Sequence, residues 1–145
     1  MTVEQVAELL GGRKILKTKI SGSLSMADVT ARGFPAKSFD RVKEALRLSD
    51  VEVARILGLS SKTTTRLRKA ENKLLSPTAS DRLYRVARLY LLAVEVLEDE
   101  DSAREWLTTP QVGLNNRVPL DLMTTEAGSR EVEALLLRID YGVIS

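Results

Sequence analysis

Nine basic side chains lie between residues 55 and 94 (Arg55, Lys62, Arg66, Arg68, Lys69, Lys73, Arg82, Arg85 and Arg88), against only Glu71 and Asp81. In a chain whose formal net charge is only +2, such a block is chemistry for holding a polyanion. Residues 95–145 reverse the balance with eleven acidic and four basic side chains, and read as an acidic interaction surface. For any single residue, a solvated helix face is the alternative. Covalent and acid–base chemistry is poorly provided for. Neither cysteine nor histidine occurs among the 145 residues, which removes disulfides, thiolates, the commonest general base and the commonest metal ligand together. The consecutive acidic residues 98–101 would fan around a helix axis instead of converging on a substrate. The expectation is a non-enzyme with no catalytic residues, no cofactor and no metal.

The segment Asp50 to Arg68 adds geometry to charge. A helix-turn-helix needs a small residue midway through its first helix, a glycine where the turn demands positive φ, and apolar residues pinning both helices. Ala54, Gly58 and the set Val53, Leu57, Leu59 and Leu67 supply these at the required spacing. Thr64 stands where an aliphatic residue is usual, and three consecutive threonines are modest helix formers, so this helix must lean on tertiary packing. Ser60 caps the second helix, whose exposed start offers Ser61, Lys62, Thr63 and Thr65 to base edges, with Arg66 close behind. Arg68, Lys69 and Lys73 are placed for phosphates. A helical hairpin with its basic residues turned to water is the bland alternative. One such motif seldom holds DNA tightly, so a homodimer reading paired half-sites of double-stranded DNA is expected.

The elements that must position these residues read as all-α. Val3, Val6, Ala7, Leu9 and Leu10 mark a first helix broken at Gly11-Gly12. Lys14 to Ser21 alternates apolar and basic residues, the pattern of an extended strap or short edge strand. Ser25 is set to cap a helix running to Arg32, and Gly33-Phe34-Pro35 turns the chain into a helix from Ala36 to Arg47. Helices follow over Asp50–Leu57, with Ser49 as cap, and from Ser61 to Asn72. The longest spans Thr78–Glu98 behind Ser76-Pro77, with Leu83, Val86, Ala87, Tyr90, Leu91, Val94 and Leu97 along one side. Glu100–Leu107, a turn at Pro119–Met123 and Glu126–Asp140 complete the chain. The expected division is an N-terminal extension over 1–32, a helix-turn-helix domain over 33–94 and a C-terminal helical domain with tail over 95–145. No apolar run approaches the roughly 20 residues that cross a bilayer. The first residues lack a signal-peptide pattern, so a cytoplasmic address without membrane attachment is expected.

Several ordered motifs carry a resemblance. Gly33-Phe34-Pro35, Ser61-Lys62-Thr63-Thr64-Thr65-Arg66-Leu67, Leu75-Ser76-Pro77 and Ser80-Asp81-Arg82-Leu83 come first. Ala103-Arg104-Glu105-Trp106-Leu107, Pro119-Leu120-Asp121-Leu122, Thr125-Glu126-Ala127-Gly128 and Arg138-Ile139-Asp140-Tyr141-Gly142 follow. Together, from residue 33 onward, they resemble the Xre/MbcA/ParS family of antitoxins. The resemblance implies a repressor-like (Xre/Cro-like) N-terminal domain on the promoter of its own operon. It also implies a C-terminal domain that covers the active-site cleft of a cognate RES-type, NAD-consuming toxin.

Within the C-terminal half, Trp106 reads first as core and second as an interface anchor. Pro110, Pro119 and Gly128 read as fixing loop and helix-end geometry, with Gly128 allowing close backbone approach. The stretch Asp140-Tyr141-Gly142-Val143-Ile144-Ser145 is the sharper toxin-binding candidate, because apolar residues at a chain end gain little unless they dock. Packing within the molecule is the alternative, and a carboxylate at Ser145 would be one mimic of a cofactor phosphate. Glu95, Glu98, Asp99, Glu100, Asp101, Glu131 and Glu133 would form an acidic flank complementary to a cleft that binds pyrophosphate. The competing functional reading is a stand-alone transcription regulator whose C-terminal half serves dimerisation.

Overall fold

The computed structural model describes residues 1–70 and 73–142. Among them ten α-helices follow one another: α1 Val3–Leu9, α2 Gly12–Leu16, α3 Ser23–Arg32, α4 Ala36–Leu46, α5 Asp50–Leu57, α6 Ser61–Lys69, α7 Pro77–Leu97, α8 Glu100–Thr108, α9 Pro119–Leu122 and α10 Glu126–Asp140. Two isolated bridges, Pro35 with Leu74 and Gln111 with Arg117, are the only extended pairings among the described residues. The chain is all-α, as the periodicity predicts.

Side-chain caps start most of these helices. Thr2, Ser49, Ser60, Ser76, Asp99 and Thr125 each accept a backbone N–H of the first turn. At α5 the cap is reciprocal, since Glu52 N donates to Ser49 Oγ and Ser49 N donates to Glu52 Oε1, both at 3.1 Å. Pro77 fills the first position of α7, where no N–H is needed.

α7 is the central beam. It packs against α1, α3, α4 and α5 and also against α8 and α10. The expected single stripe is therefore too narrow. Leu89, Leu92 and Ala93 are as buried as Leu83, Val86, Ala87 and Tyr90, while Leu91, Val94 and Leu97 are only half-buried. A helix so surrounded has to be apolar around most of its circumference. The first 32 residues belong to the same core through Val6, Leu10, Leu16, Ile20, Met26 and Val29.

Three local expectations are corrected. Gly11, at φ +121°, and Gly12, at φ +67°, do break α1, but α2 resumes at once over Gly12–Leu16 and takes the first three residues of the expected strap, leaving 17–21 non-helical and unpaired with any strand. Burial of Leu16 beneath neighbouring helices decides this, because a lone strand without a partner would leave its backbone unpaired. Ser25 works from inside α3, its Oγ accepting from Ser21 N at 2.9 Å and Gly22 N at 3.2 Å, so Gly22 and not Ser25 is the cap residue. Finally, α6 ends at Lys69, short of Asn72.

Two of the motifs that are distant in sequence form one node. Leu75 N donates to the Phe34 carbonyl at 2.8 Å, and Phe34 N donates to Ser80 Oγ at 2.8 Å. Phe34 and Ser80 are fully buried. Gly33 has φ +109°, and a Cβ there would sit 2.3 Å from the Leu75 carbonyl oxygen, so only glycine lets the two segments meet. This junction docks the segment after α6 onto the start of α4 and so fixes the helix-turn-helix against α7.

Candidate nucleic-acid interface and C-terminal surface

α5, the turn Gly58-Leu59-Ser60 and α6 build the expected helix-turn-helix. Ala54 is buried at the close approach. Gly58 ends α5 at φ +73°, and Leu59 N reaches back to the Ala54 carbonyl at 2.8 Å, closing the helix end. Val53 and Leu57 are buried, and Leu59 and Leu67 pack against the core from half-buried positions. Thr64 is tolerated inside because its hydroxyl donates to the Ser60 carbonyl at 3.0 Å, leaving no unpaired proton. Ser60 Oγ accepts from Thr63 N at 3.1 Å and donates to Thr63 Oγ1 at 2.9 Å.

Ser61, Lys62, Thr65, Arg66 and Lys69 are all exposed and fall at i, i+1, i+4, i+5 and i+8, one stripe along the outer face of α6. The ion pairs among the described residues do not involve Lys62, Arg66 or Lys69. Thr63 is half-buried at the edge of the stripe.

Arg68 is placed elsewhere. Its guanidinium pairs with Asp40 of α4 and, at 2.5 Å, with Asp50 of α5, and it lies 5.3 Å above the Phe39 ring. Lys43 approaches the same Asp50 carboxylate at 2.9 Å. The hydrogen bond from Lys43, followed by that from Arg68, holds the Asp50 carboxyl below its ordinary range despite some opposing desolvation. Arg68, expected to meet phosphate, ties α6 to α4 and α5.

Arg68 is not alone. Arg55 pairs with Asp121 at 2.8 Å, Arg85 with Glu126 at 2.8 Å and Asp81 at 3.4 Å, and Arg88 with Glu133. Basic residues of the middle block thus reach acidic residues of the C-terminal half, and part of the charge segregation is satisfied inside the molecule. The acidic flank is thinned for the same reason. Asp101 pairs with Arg104 and Arg47, Glu95 with the Met1 amine at 3.0 Å, and Asp99 caps α8. Sequence reasoning missed these roles, and also Arg82. A Cβ on Gly58 would fall 2.3 Å from Arg82 Nη1, so this guanidinium lies directly on the helix-turn-helix turn.

In the C-terminal half, Trp106 is half-buried beside a shallow groove formed with Leu97, Ser102, Glu105, Thr109 and Gln111. It is therefore neither fully core nor free. Val112 projects next to Gln111 with 79% of its surface exposed. Gly128 is required by close approach, since a Cβ there would lie 2.0 Å from the Leu122 carbonyl oxygen; α10 starts hard against the end of α9. Arg104 is nearly covered and donates to the Ala45 carbonyl at 3.0 Å and to the Tyr90 hydroxyl at 3.3 Å, which fastens α8 to the N-terminal half. Asp140 is exposed at the end of α10, Tyr141 is 80% exposed, and Gly142 follows at φ +76°. Val143, Ile144 and Ser145 lie outside the described residues. Among the described residues no helix is long and apolar enough to cross a membrane.

Residues 25–88 match the family described as the antitoxin Xre-like helix-turn-helix domain, and residues 92–142 match the antitoxin Xre/MbcA/ParS C-terminal toxin-binding domain. An antitoxin Xre of Yersinia enterocolitica is 31% identical over 121 residues, which cover 83% of this chain and 81% of that protein. An antitoxin Xre of Pseudomonas putida is 31% identical over 110 residues, 76% of this chain and 67% of that protein. One from Photorhabdus laumondii is 27% identical over 114 residues, 78% of this chain and 76% of that protein. With its helix-turn-helix on α5 and α6 and a toxin-binding domain that begins in the last turns of α7, the chain belongs to the Xre family of antitoxins.

Proposed function

We propose that the chain neutralises a cognate RES-type toxin that consumes NAD, by covering the toxin's active site, and that as a cytoplasmic homodimer it represses its own operon through α6. The observation that carries the DNA half is the exposed outer stripe Ser61, Lys62, Thr65, Arg66 and Lys69, whose cations make no ion pair among the described residues. Base edges fall to Ser61, Lys62, Thr63, Thr65 and Arg66, and Lys69 serves the phosphates. Arg68, which is bound to two carboxylates, acts by holding α6 in place.

For the toxin half, the support is the family of residues 92–142 together with apolar surface left open there: Tyr141, Val112 and the groove beside Trp106. The segment from Asp140 and Tyr141 through Gly142 and on over Val143, Ile144 and Ser145 is the proposed seal on the NAD cleft. Aromatic anchors at such interfaces concentrate binding energy.

Co-expression with the neighbouring reading frame, purification through a tag on this chain and assay of NAD consumption test the reading. A partner that co-purifies, is silent in the complex and degrades NAD once separated is expected. Absence of any partner alongside intact promoter binding would establish a stand-alone regulator instead. Removing residues 141–145 should weaken neutralisation and leave promoter binding intact; full protection by the shortened chain would overturn the seal.

A further inference from the structure

The run Ser60 to Thr65 carries five hydroxyls on or beside the reading face, and a hydroxyl has one proton to give. Ser60 gives its proton to Thr63 Oγ1 at 2.9 Å. Thr64 gives its own to the Ser60 carbonyl at 3.0 Å, and Thr65 to the Ser61 carbonyl at 2.9 Å. Thr65 is the informative one, because it sits on the exposed stripe one turn after Ser61, between Lys62 and Arg66. With its Oγ1 turned back onto its own helix, it has no donor left for a base edge. Beyond that hydroxyl, the exposed side chain has only its Cγ2 methyl to offer a ligand.

In the major groove, thymine alone among the four unmodified bases carries a methyl group, at C5. From this placement we infer that Thr65 is a specificity-determining residue that selects a thymine in each half-site by methyl-to-methyl contact, not by hydrogen bonding. The flanking Lys62 and Arg66, which make no ion pair among the described residues, supply the polar half of the readout to guanine or phosphate. This rests on the proposal that α6 enters DNA, and it adds which base α6 prefers and through which atoms.

The test begins with the full chain, alone and with its co-expressed partner, selecting from a randomised duplex library. Each thymine of the selected site is then replaced in turn by deoxyuridine, which removes only the C5 methyl. Wild type should lose about fourfold in affinity at one thymine per half-site, the factor that burial of one methyl group carries. Thr65→Ser keeps the hydroxyl and loses the methyl, so it should bind thymine and uracil sites equally. Thr65→Val keeps the methyl, puts a second one in place of the hydroxyl, and should retain the preference whatever its overall affinity. Tolerance of uracil at every position by the wild type, or the same preference in Thr65→Ser, would overturn the inference while leaving DNA binding by α6 standing. Failure to select any duplex would overturn both.

Discussion

Lys62, Arg66 and Lys69 on one hand, and Arg55, Arg68, Arg85 and Arg88 on the other, come from the same basic stretch of sequence yet do opposite things. The first set points outward from α6 with no ion pair among the described residues. The second set is spent inside the molecule, on Asp121, on Asp40 and Asp50, on Glu126 and on Glu133. A block of charge in a sequence therefore gives an upper bound on what a ligand can feel, because a carboxylate at hydrogen-bond distance cancels most of a cation's field at the surface.

The contrast is broken hardest by removing the outward set. Replacing Lys62, Arg66 and Lys69 together by alanine should lower promoter affinity by about a hundredfold or more. The log–log salt slope should shrink by roughly 0.9 for each phosphate no longer neutralised, read by titration at several ionic strengths. The thermal midpoint should stay where it was. Unchanged affinity would mean the stripe is only a solvated face.

Displacing the inward set at its base comes next. Gly128→Ala puts a Cβ against the Leu122 carbonyl, so α10 must shift and carry Glu126 and Glu133 away from Arg85 and Arg88. A loss of about 3 kcal/mol in urea unfolding is expected, as for other overpacked sites.

Arg68→Ala separates the two sets within a single helix. Because its side chain is about a third exposed, its ion pairs are screened, and the cost in stability should be about 1 kcal/mol. Its salt slope for DNA should match wild type, whereas that of Lys69→Ala should fall. A lower slope in Arg68→Ala would place this residue back at the phosphates.

The smallest effect is in pH. The Asp50 and Glu126 carboxyls are held below their ordinary values of 3.8 and 4.5, the first by Lys43 and then Arg68, the second by Arg85 and then Arg130. A carboxyl with a depressed folded pKa contributes stability that is fully present above its unfolded pKa and is lost as pH falls through that value toward the folded one. With no histidine in the chain, stability should be flat through neutral pH and decline below about 5. Asp50→Asn should flatten part of that acid limb in chemical denaturation run at several pH values.

Much of this architecture was legible in the residues. Helix starts at Ser49, Ser60, Ser76 and Thr125, the spans of α5 and α10, and the Gly58 turn all follow from side chains within four residues of the backbone groups they satisfy. The outer stripe of α6 follows from helical period alone. Arg68 misled because helical period sets it beside Ser61 at the edge of that stripe, while its partners Asp40 and Asp50 lie 28 and 18 residues earlier. The strand-like alternation of Lys14 to Ser21 misled because its first residues close a short helix with Gly12 and Arg13 once Leu16 has a core to enter.

The sequence by itself determined the helices, their caps, the turn and the total of charge, since each is set by interactions along a few residues of chain. Tertiary structure alone decided that α7 is buried on nearly all sides, that Gly33 and Gly128 face carbonyls from other segments, and which cations remain for a partner. The physical reason is range: capping and periodicity act within a turn of helix, while burial and ion pairing depend on which surfaces the packed core brings within a few ångströms.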